Sequence, residues 1–247
     1  MPLLKRAVGS LARRLDRPEL SAALYPAARQ TLREEIATAG VLAAVLRRDS
    51  SYVDVGTNRG QVLREAVRVA ERGRHLAFEP IPALAAEVKH AFPDVDCRQM
   101  ALGAERGRAE FCHFRALDGW SGLRRSPEVS DERGDPEYIT VEVSTLDAEL
   151  AGMTPALVKL DVEGAELGLL EGGRVVLAEA KPVIVFEHVA SAAALYGTSS
   201  GAVWDLLAEL GYRIFSITGD GPVTRARFAG ATAIVNWLAT PSDTAAA

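Results

Sequence analysis

The stretch Val53–Gly60, with the sequence VDVGTNRG, decides the fold class of this 247-residue chain. An apolar, β-branched run leads into a glycine turn, and helical periodicity begins directly after it. Gly56 allows a sharp backbone turn and the close approach of a ligand, and Gly60 relieves crowding where the helix starts. The spacing G-x-x-x-G differs from the G-x-G-x-x-G of dinucleotide-binding proteins, whose glycines make room for a pyrophosphate. The turn therefore predicts a strand–turn–helix unit that binds a ligand without a pyrophosphate.

Short apolar runs alternate with helical stretches along most of the chain. The predicted strands of this alternation are Tyr52–Val55, Leu76–Phe78, Val95–Leu102, Leu157–Leu160, Val183–Phe186 and Tyr212–Ile217. Helical spacing of apolar residues predicts helices over Gln61–Arg72 and Pro82–Phe92. Such alternation is typical of an α/β domain with a parallel sheet and helices on both faces.

Three more strands are expected outside the main alternation. Ala109–Phe114 and Tyr138–Val143 flank a long polar loop, Arg115–Glu137, and loops of this length in compact domains are often functional. Ala231–Trp237 is expected to pair with Tyr212–Ile217 as an antiparallel hairpin at the sheet edge.

The chain before Asp49 has a different pattern. Leu3–Leu15 places apolar residues at helical spacing beside basic ones, and a second helix is predicted from Pro26 to Arg47. We expect the first helix to pack on the main domain or on a second subunit, with a membrane-surface helix as the alternative. The chain thus divides into an N-terminal helical extension (1–48), a main domain (49–240) and a flexible tail (241–247).

Composition excludes several classes of protein. The chain is 48% hydrophobic and 25% charged, which is ordinary for a globular protein, and its net charge of -5 disfavours a nucleic-acid binder. Cys97 and Cys112 have no zinc-site spacing, and no apolar run approaches the roughly 18 residues of a membrane span. Because no secretory signal is recognisable and a disulfide framework is not expected, a cytoplasmic protein without a membrane span fits best.

An acidic residue follows the second strand of the alternation. Glu79 lies 19 residues after Gly60, and an acid about 20 residues beyond a glycine turn can accept hydrogen bonds from ribose hydroxyls. The third predicted strand ends at Gln99–Gly103, where an adenine ring could lie. The three features together indicate a ligand that contains a nucleoside.

The strands that end at Leu160 and Phe186 are followed by further acidic residues and a histidine. They deliver Asp161, Glu163, Glu187 and His188 to one edge of the sheet. Carboxylates and a histidine that converge on a cleft can bind a cation or can place a general base near neutral pH. The alternatives are an acid that favours a helix dipole, for Glu163, and a structural histidine, for His188.

Seven segments come in the order of one known family. They are VDVGTNRG (Val53–Gly60), FEP (Phe78–Pro80), ALG (Ala101–Gly103), SGL (Ser121–Leu123), STLD (Ser144–Asp147), KLDVEGAE (Lys159–Glu166) and VIVFEH (Val183–His188). With them the chain resembles the FkbM family of S-adenosylmethionine-dependent methyltransferases. The resemblance implies a Rossmann-like methyltransferase fold with a mostly parallel seven-stranded sheet. It also implies S-adenosylmethionine as the cofactor and a hydroxyl of a sugar or natural product as the acceptor.

The resemblance also implies roles for the matching residues. Around the methionine part of the cofactor it places Asp54, Gly56, Thr57, Asn58 and Gly60. It places Glu79 and Pro80 at the ribose, and Ala101 and Leu102 beside the adenine. It places Asp161 so that its side chain faces the methyl group.

We expect the protein to align an acceptor oxygen behind the sulfonium methyl group and to help remove the proton of that oxygen. His188 is the first candidate for the general base, followed by Asp161 and Glu187. A divalent cation such as Mg²⁺ is a rival device, because it lowers the pKa of the acceptor hydroxyl. In the long loop, Trp120 is expected to stack on a sugar ring or to anchor the loop, and Ser121 is a second candidate for acceptor contact.

Other function classes stay open at this point. A nicotinamide-dependent oxidoreductase is disfavoured because the second glycine of the dinucleotide motif is missing. A catalytically silent cofactor-binding module is disfavoured by the intact Asp54, Glu79 and Asp161. RNA methylation is disfavoured by the net charge of -5. The identity of the acceptor, the metal dependence and the formation of a homo-oligomer are not determined by the motifs.

Overall fold

The computed structural model describes residues 26–115, 118–125, 136–232 and 235–242. The predicted basic helix Leu3–Leu15 lies outside these residues. So do 116–117 and 126–135 of the long polar loop, and most of the predicted tail.

A seven-stranded sheet forms the centre of the domain. Its spatial order is β3 (Asp96–Arg98), β2 (His75–Phe78), β1 (Tyr52–Val55), β7 (Leu157–Leu160), β8 (Val183–Glu187), β10 (Asn236–Pro241) and β9 (Tyr212–Ser216). Six of these strands run in one direction, and β10 runs in the other, antiparallel to β8 and β9. The chain moves outward from β1 to β3 and then returns to β7 on the other side of β1. The predicted mostly parallel, Rossmann-like sheet is confirmed, and its strand order reverses beside β1, where such sheets bind ligands.

A second, three-stranded sheet lies beside the first. Its order is β4 (Ala101–Leu102), β6 (Glu137–Ser144) and β5 (Gly107–His113), with β4 parallel and β5 antiparallel to β6. The two extra strands that flank the polar loop are therefore present, as a separate sheet.

Helices cover both faces of the large sheet. They are α1 (Pro26–Val45), α2 (Gln61–Val69), α3 (Pro82–Ala91), α4 (Leu146–Glu149), α5 (Glu166–Glu171), α6 (Arg174–Ala180), α7 (Ala190–Ala194), α8 (Ser200–Glu209) and α9 (Arg225–Ala229). Alternate strand residues enter different apolar clusters: Val53 and Val55 pack on one face, and Tyr52 packs on the other. This period of two explains why every residue of β1 is buried.

The predicted strand Val95–Leu102 is wrong as a single element, because it is divided between the two sheets. The amide of Met100 donates to the carbonyl of Arg98 at 3.1 Å, which bends the chain between β3 and β4. The Arg98 side chain bonds Asp96 and Glu149 beside this bend. The polar residues that interrupt the apolar run therefore mark a bend.

The predicted strand Ala231–Trp237 is displaced toward the C-terminus. The chain just after α9 is still turning, since the amide of Ala231 donates to the carbonyl of Phe228. Pairing begins at Asn236, and Trp237 lies opposite Phe186 on one side and Ser216 on the other. The predicted antiparallel pair exists, but β10 is an interior strand, and β9 forms the edge.

The helix predicted from Pro26 is α1, and it packs against the domain. Leu42 and Leu46 are almost fully buried in the same apolar cluster as Leu63 and Ala66 of α2. Among the residues that the structure describes, no helix combines the length and apolar character needed to cross a membrane.

Candidate active site

A cavity of about 710 Å³ lies at the carboxyl ends of β1, β2, β7 and β8. Its volume falls in the range of about 300–1,000 Å³ that is usual for small-molecule sites. One wall, called the glycine-turn side below, consists of Gly56, Asn58, Glu79, Pro80, Ala101 and Leu102. A second group of lining residues, called the carboxylate side, consists of Thr31, Asp161, Glu163, Glu187, Thr232 and Val235.

The glycine turn brings the end of β1 against the end of β7. Gly56 has a φ of +77°, and a Cβ atom on it would lie 1.8 Å from the backbone oxygen of Asp161. The amide of Gly56 donates to the carbonyl of Phe78 at 3.0 Å. Glycine is therefore required here by the packing of two strand ends as well as by the approach of a ligand.

Glu79 links the two turns of the glycine-turn side. Its Oε2 accepts from the amide of Asn58 at 2.8 Å, and its Oε1 accepts from the amide of Ile81 at 2.9 Å. The residue is 4% exposed and lines the cavity. A carboxylate has about four lone-pair positions, so the same two oxygens retain acceptor capacity for hydroxyl groups of a ligand.

Three of the predicted cofactor residues, Asp54, Thr57 and Gly60, are not among the cavity-lining residues. Asp54 is 1% exposed, and its Oδ2 accepts from the hydroxyl of Thr57 at 3.0 Å. A Cβ atom on Gly60 would lie 2.6 Å from the ring of Phe92. These residues stabilise the turn by a hydrogen bond and by packing, while the other predicted cofactor residues line the cavity.

Lys159 joins the two central strands through their carboxylates. Its Nζ lies 2.9 Å from Oδ2 of Asp161 and 3.9 Å from Oδ1 of Asp54. Burial alone would lower the pKa of Lys159, but the charges of the two aspartates outweigh burial and raise this pKa. Burial also raises the pKa of Asp54, although Lys159 and Thr57 oppose that shift. Lys159 is thus a permanent cation beneath the Asp161 carboxylate.

Glu187 ends β8 and lines the cavity beside Asp161. Burial raises the pKa of Glu187 to about 8, the charge of Asp161 adds to the rise, and Lys159 opposes it. A carboxylate with such a pKa can exchange a proton near neutral pH.

Asp161, Glu163 and Glu187 form the one acidic group of metal-binding dimensions among the described residues. One oxygen from each of the three carboxylates lies within 4.8 Å of the others. Oxygen donors of this kind suit a hard divalent cation such as Mg²⁺. However, Asp161 already bonds the Lys159 ammonium group, so part of the charge that would attract a metal is neutralised.

The segment after β7 has an unusual backbone that directs its acidic residues. Glu163 and Gly164 have φ values of 51° and 98°. A Cβ atom on Gly164 would lie 2.5 Å from the carbonyl of Ala192 in α7. The amide of Gly164 donates to Oε1 of Glu166 at 2.8 Å, and Glu166 is 1% exposed. Close packing and one buried carboxylate therefore fix the loop that carries Glu163.

His188 lies behind the carboxylate side and is not among the cavity-lining residues. Its Nδ1 is 2.9 Å from Oε2 of Glu166, and its Nε2 is 2.8 Å from Oγ of Ser200. The ring stacks on Phe228 with centroids 5.2 Å apart. With both nitrogens bonded to buried partners, the geometry disfavours the expected role of general base. It indicates instead that His188 holds Glu166 in place.

The described part of the long loop reaches the cavity. Trp120 and Ser121 line it, and Trp120 is 37% exposed. The hydroxyl of Ser121 accepts from the amide of Phe114 at 3.0 Å, and Gly122 pairs with Cys112 of β5. Ser121 thus anchors the loop to the small sheet, which leaves Trp120 as the residue of this pair that presents an exposed surface.

Three residues of the carboxylate side lie outside every sequence motif described above. Thr31 belongs to α1, and Thr232 and Val235 precede β10. No local signal marks them, because they reach the cavity only through the packing of distant segments.

The sequence model of one protein family, the Methyltransferase FkbM domain, matches residues 54–214 of this chain. This chain belongs to the FkbM methyltransferase family. The match includes the glycine turn, Glu79 and both strands that end in carboxylates, while α1 and β10 lie outside it. The predicted family is confirmed. No curated protein sequence matches the chain.

Solved structures of methyltransferases are similar to this FkbM-family chain. A methyltransferase FkbM from Methylobacillus flagellatus KT has 17% identity and a TM-score of 0.49, over 79% of this chain and 44% of its own. A TehB-like SAM-dependent methyltransferase from Corynebacterium glutamicum has 13% identity and a TM-score of 0.44, over 97% of each chain. A SAM-dependent O-methyltransferase from Thermotoga maritima has 10% identity and a TM-score of 0.44, over 85% of this chain and 66% of its own. This chain thus spans less than half the length of the Methylobacillus chain, and its family assignment rests on the sequence match.

Proposed function

We propose that this FkbM-family protein transfers a methyl group from S-adenosylmethionine to a hydroxyl oxygen of a sugar or natural-product acceptor. The observation that carries the proposal is the buried Glu79 carboxylate, which two backbone amides hold at the cavity wall. It lies beside the reversal point of a parallel sheet, in a chain of a methyltransferase family.

The glycine-turn side is proposed to hold the cofactor. Glu79 accepts hydrogen bonds from the ribose hydroxyls, and Ala101 and Leu102 flank the adenine. Gly56 and Asn58 border the methionine part, and Asp161 faces the sulfonium group. The Asp161 side chain is suited to that place, because a carboxylate in a partly desolvated site attracts a positive sulfonium strongly.

The carboxylate side is proposed to hold the acceptor and to remove its proton. The acceptor oxygen attacks the methyl carbon while the carbon–sulfur bond breaks, and adenosylhomocysteine leaves as a neutral thioether. The proton of the acceptor hydroxyl passes to Glu187. Alignment of the two reactants provides most of the acceleration, and a general base adds about 10²–10⁴-fold.

Glu187 is preferred over His188 as the base because only Glu187 lines the cavity. Asp161 is less suited, since its Oδ2 is bonded to the Lys159 ammonium group. His188 acts as a positioning residue, which holds Glu166 and through it the backbone of Gly164.

A divalent cation is the second candidate device. Asp161, Glu163 and Glu187 would hold it, and it would lower the pKa of the acceptor hydroxyl. The bond between Lys159 and Asp161 favours the metal-independent alternative, because the lysine already supplies a positive charge at this carboxylate.

Methyl transfer is tested by incubating the full chain with S-adenosyl-[methyl-³H]methionine and a panel of free sugars, methyl glycosides and polyhydroxylated macrolides. We expect label in at least one acceptor, in a position stable to base as an ether is. Stoichiometric cofactor binding without transfer to any acceptor would favour the silent module. Binding of NADH in place of S-adenosylmethionine would favour an oxidoreductase.

A further inference from the structure

Two segments outside the matched methyltransferase region complete the carboxylate side of the cavity. Thr31 lies on α1, and Thr232 and Val235 lie between α9 and β10, whereas the family match ends at residue 214. The two segments are about 200 positions apart in the chain. Their presence in one wall is therefore a property of the tertiary fold.

A buried carboxylate fastens the two segments together. Glu34 is 2% exposed and lies one turn after Thr31 on α1. Its Oε2 accepts from the side-chain amide of Asn236 at 2.6 Å, and its Oε1 accepts from the side-chain amide of Gln30 at 2.5 Å. Both oxygens of this buried carboxyl group are thus hydrogen-bonded, as is usual for buried polar groups in folded proteins.

The hydrogen bond between Glu34 and Asn236 also connects α1 to the proposed base, Glu187. Asn236 pairs with Glu187 across β10 and β8, and the amide of His188 donates to the carbonyl of Val235 at 2.8 Å. The position of α1 relative to Glu187 is therefore set by two connected contacts, one from side chain to side chain and one through the strand ladder. Helix α1 cannot move away from the cavity without breaking this partly buried hydrogen bond between Glu34 and Asn236.

From this arrangement we propose that α1 together with Thr232 and Val235 forms the acceptor-binding wall, with Thr31 as a specificity-determining residue for a polyhydroxylated acceptor. The proposal rests on the proposed function, because it assumes that the carboxylate side receives the acceptor. Thr31, Thr232 and Glu187, whose side chains carry hydroxyl or carboxylate oxygens, all line this part of the cavity. Such a wall binds hydroxyl groups of a ligand by directional hydrogen bonds and places one of them beside Glu187.

A tethered acceptor tests the wall without knowledge of the natural acceptor. In Thr31→Cys, 1-thioglucose is attached through a disulfide at position 31 of the full chain. The native Cys97 and Cys112 are buried, and burial raises the pKa of both thiols, so they react slowly. A tether replaces weak binding by a high effective concentration of sugar hydroxyls in the cavity.

The matched control is Ala39→Cys, which carries the same adduct on an exposed position of α1 that does not line the cavity. We expect mass spectrometry to show methyl transfer from S-adenosylmethionine to the sugar at position 31, at least about tenfold above the sugar at position 39. Thr232→Cys provides a second attachment point on the other segment of the wall, should the variant at position 31 fail to fold.

The outcomes distinguish a failure of the acceptor-wall proposal from a failure of the proposed function. Calorimetry with adenosylhomocysteine first shows whether the adduct proteins bind the cofactor product. Binding with no transfer at positions 31 and 232, or with equal transfer at position 39, would overturn the acceptor wall. If the unmodified protein binds neither adenosylhomocysteine nor S-adenosylmethionine, the proposed function is overturned instead, and the inference with it.

Discussion

The two sides of the cavity are built in different ways. The glycine-turn side comes from a continuous part of the chain, residues 56–102, and its key contacts are backbone amides on one carboxylate. The carboxylate side collects residues from positions 31 to 235, and its contacts are between ionisable side chains. Main-chain geometry should therefore control cofactor affinity, whereas side-chain ionisation and the packing of distant segments should control the chemical step and the choice of acceptor.

The largest expected effect is on the chemical step. Replacing Glu187 by Gln keeps the shape of the side chain but removes the base, so we expect turnover to fall about 10²–10⁴-fold. The affinity for S-adenosylmethionine should change less than about threefold, since Glu187 is not on the glycine-turn side. His188→Gln serves as the comparison. A larger loss of turnover in that variant, at equal thermal stability, would return the role of base to the histidine.

The pH dependence of the wild-type enzyme should report the same group. Glu187 has a raised pKa of about 8 and must be ionised to accept a proton. The rate should therefore rise with pH below about 8 and level off above it. In Glu187→Gln this limb should disappear from the profile of kcat against pH. A wild-type profile that is flat between pH 6 and 9 would contradict the assignment.

The next largest effect should be on cofactor affinity. Glu79→Ala removes the acceptor of two backbone amides and of the proposed ribose contacts, so we expect the Kd for S-adenosylmethionine to rise about 10²-fold. Glu87→Ala is the matched control, because this exposed acid of α3 pairs with the exposed Arg59 at the surface. Equal affinities of the two variants, measured by calorimetry, would show that Glu79 does not hold the cofactor.

The difference between the two sides also explains what could be predicted from the sequence. The strand–turn–helix unit and the spacing from Gly60 to Glu79 are local signals, and they predicted most of the glycine-turn side. Thr31 and Thr232 carry no such signal. His188 follows an apolar strand just as Glu187 does, but which of two adjacent residues faces a cavity depends on the backbone beyond the strand.

The errors in the fold have the same origin. The run from Val95 to Leu102 contains enough apolar residues for one strand, yet a bend at Arg98–Met100 divides it between two sheets. The last strand begins later than predicted because Ala231, just after α9, packs against the core without joining the ladder. Strand pairing is decided by tertiary contacts, which the apolar pattern of a single segment does not contain.

A smaller effect, on the free energy of unfolding, distinguishes two glycines with nearly the same φ angle. Gly56→Ala should lower the free energy of unfolding by about 3 kcal/mol or more, because its Cβ atom would overlap the backbone of Asp161. Gly152 also has a positive φ, +76°, but nothing lies within 4 Å of its Cβ position. Gly152→Ala should therefore cost only about 1 kcal/mol. Urea denaturation of both variants measures the difference, and equal costs would contradict the close approach of β1 and β7.

The smallest expected effect is that of metal removal. Because Lys159 already bonds Asp161, treatment with EDTA should change turnover less than about twofold. Loss of activity in EDTA, with recovery on addition of Mg²⁺ but not of Na⁺, would assign the three carboxylates to a cation and remove the need for Glu187 as the base.

The central claim is that the glycine-turn side binds S-adenosylmethionine, and calorimetric titration tests it most directly. Purified protein is titrated separately with S-adenosylmethionine and with NADH, each with and without Mg²⁺. The account predicts saturable binding of one S-adenosylmethionine per chain, independent of Mg²⁺, and no binding of NADH. Binding of NADH alone, or of neither ligand under either condition, would contradict it.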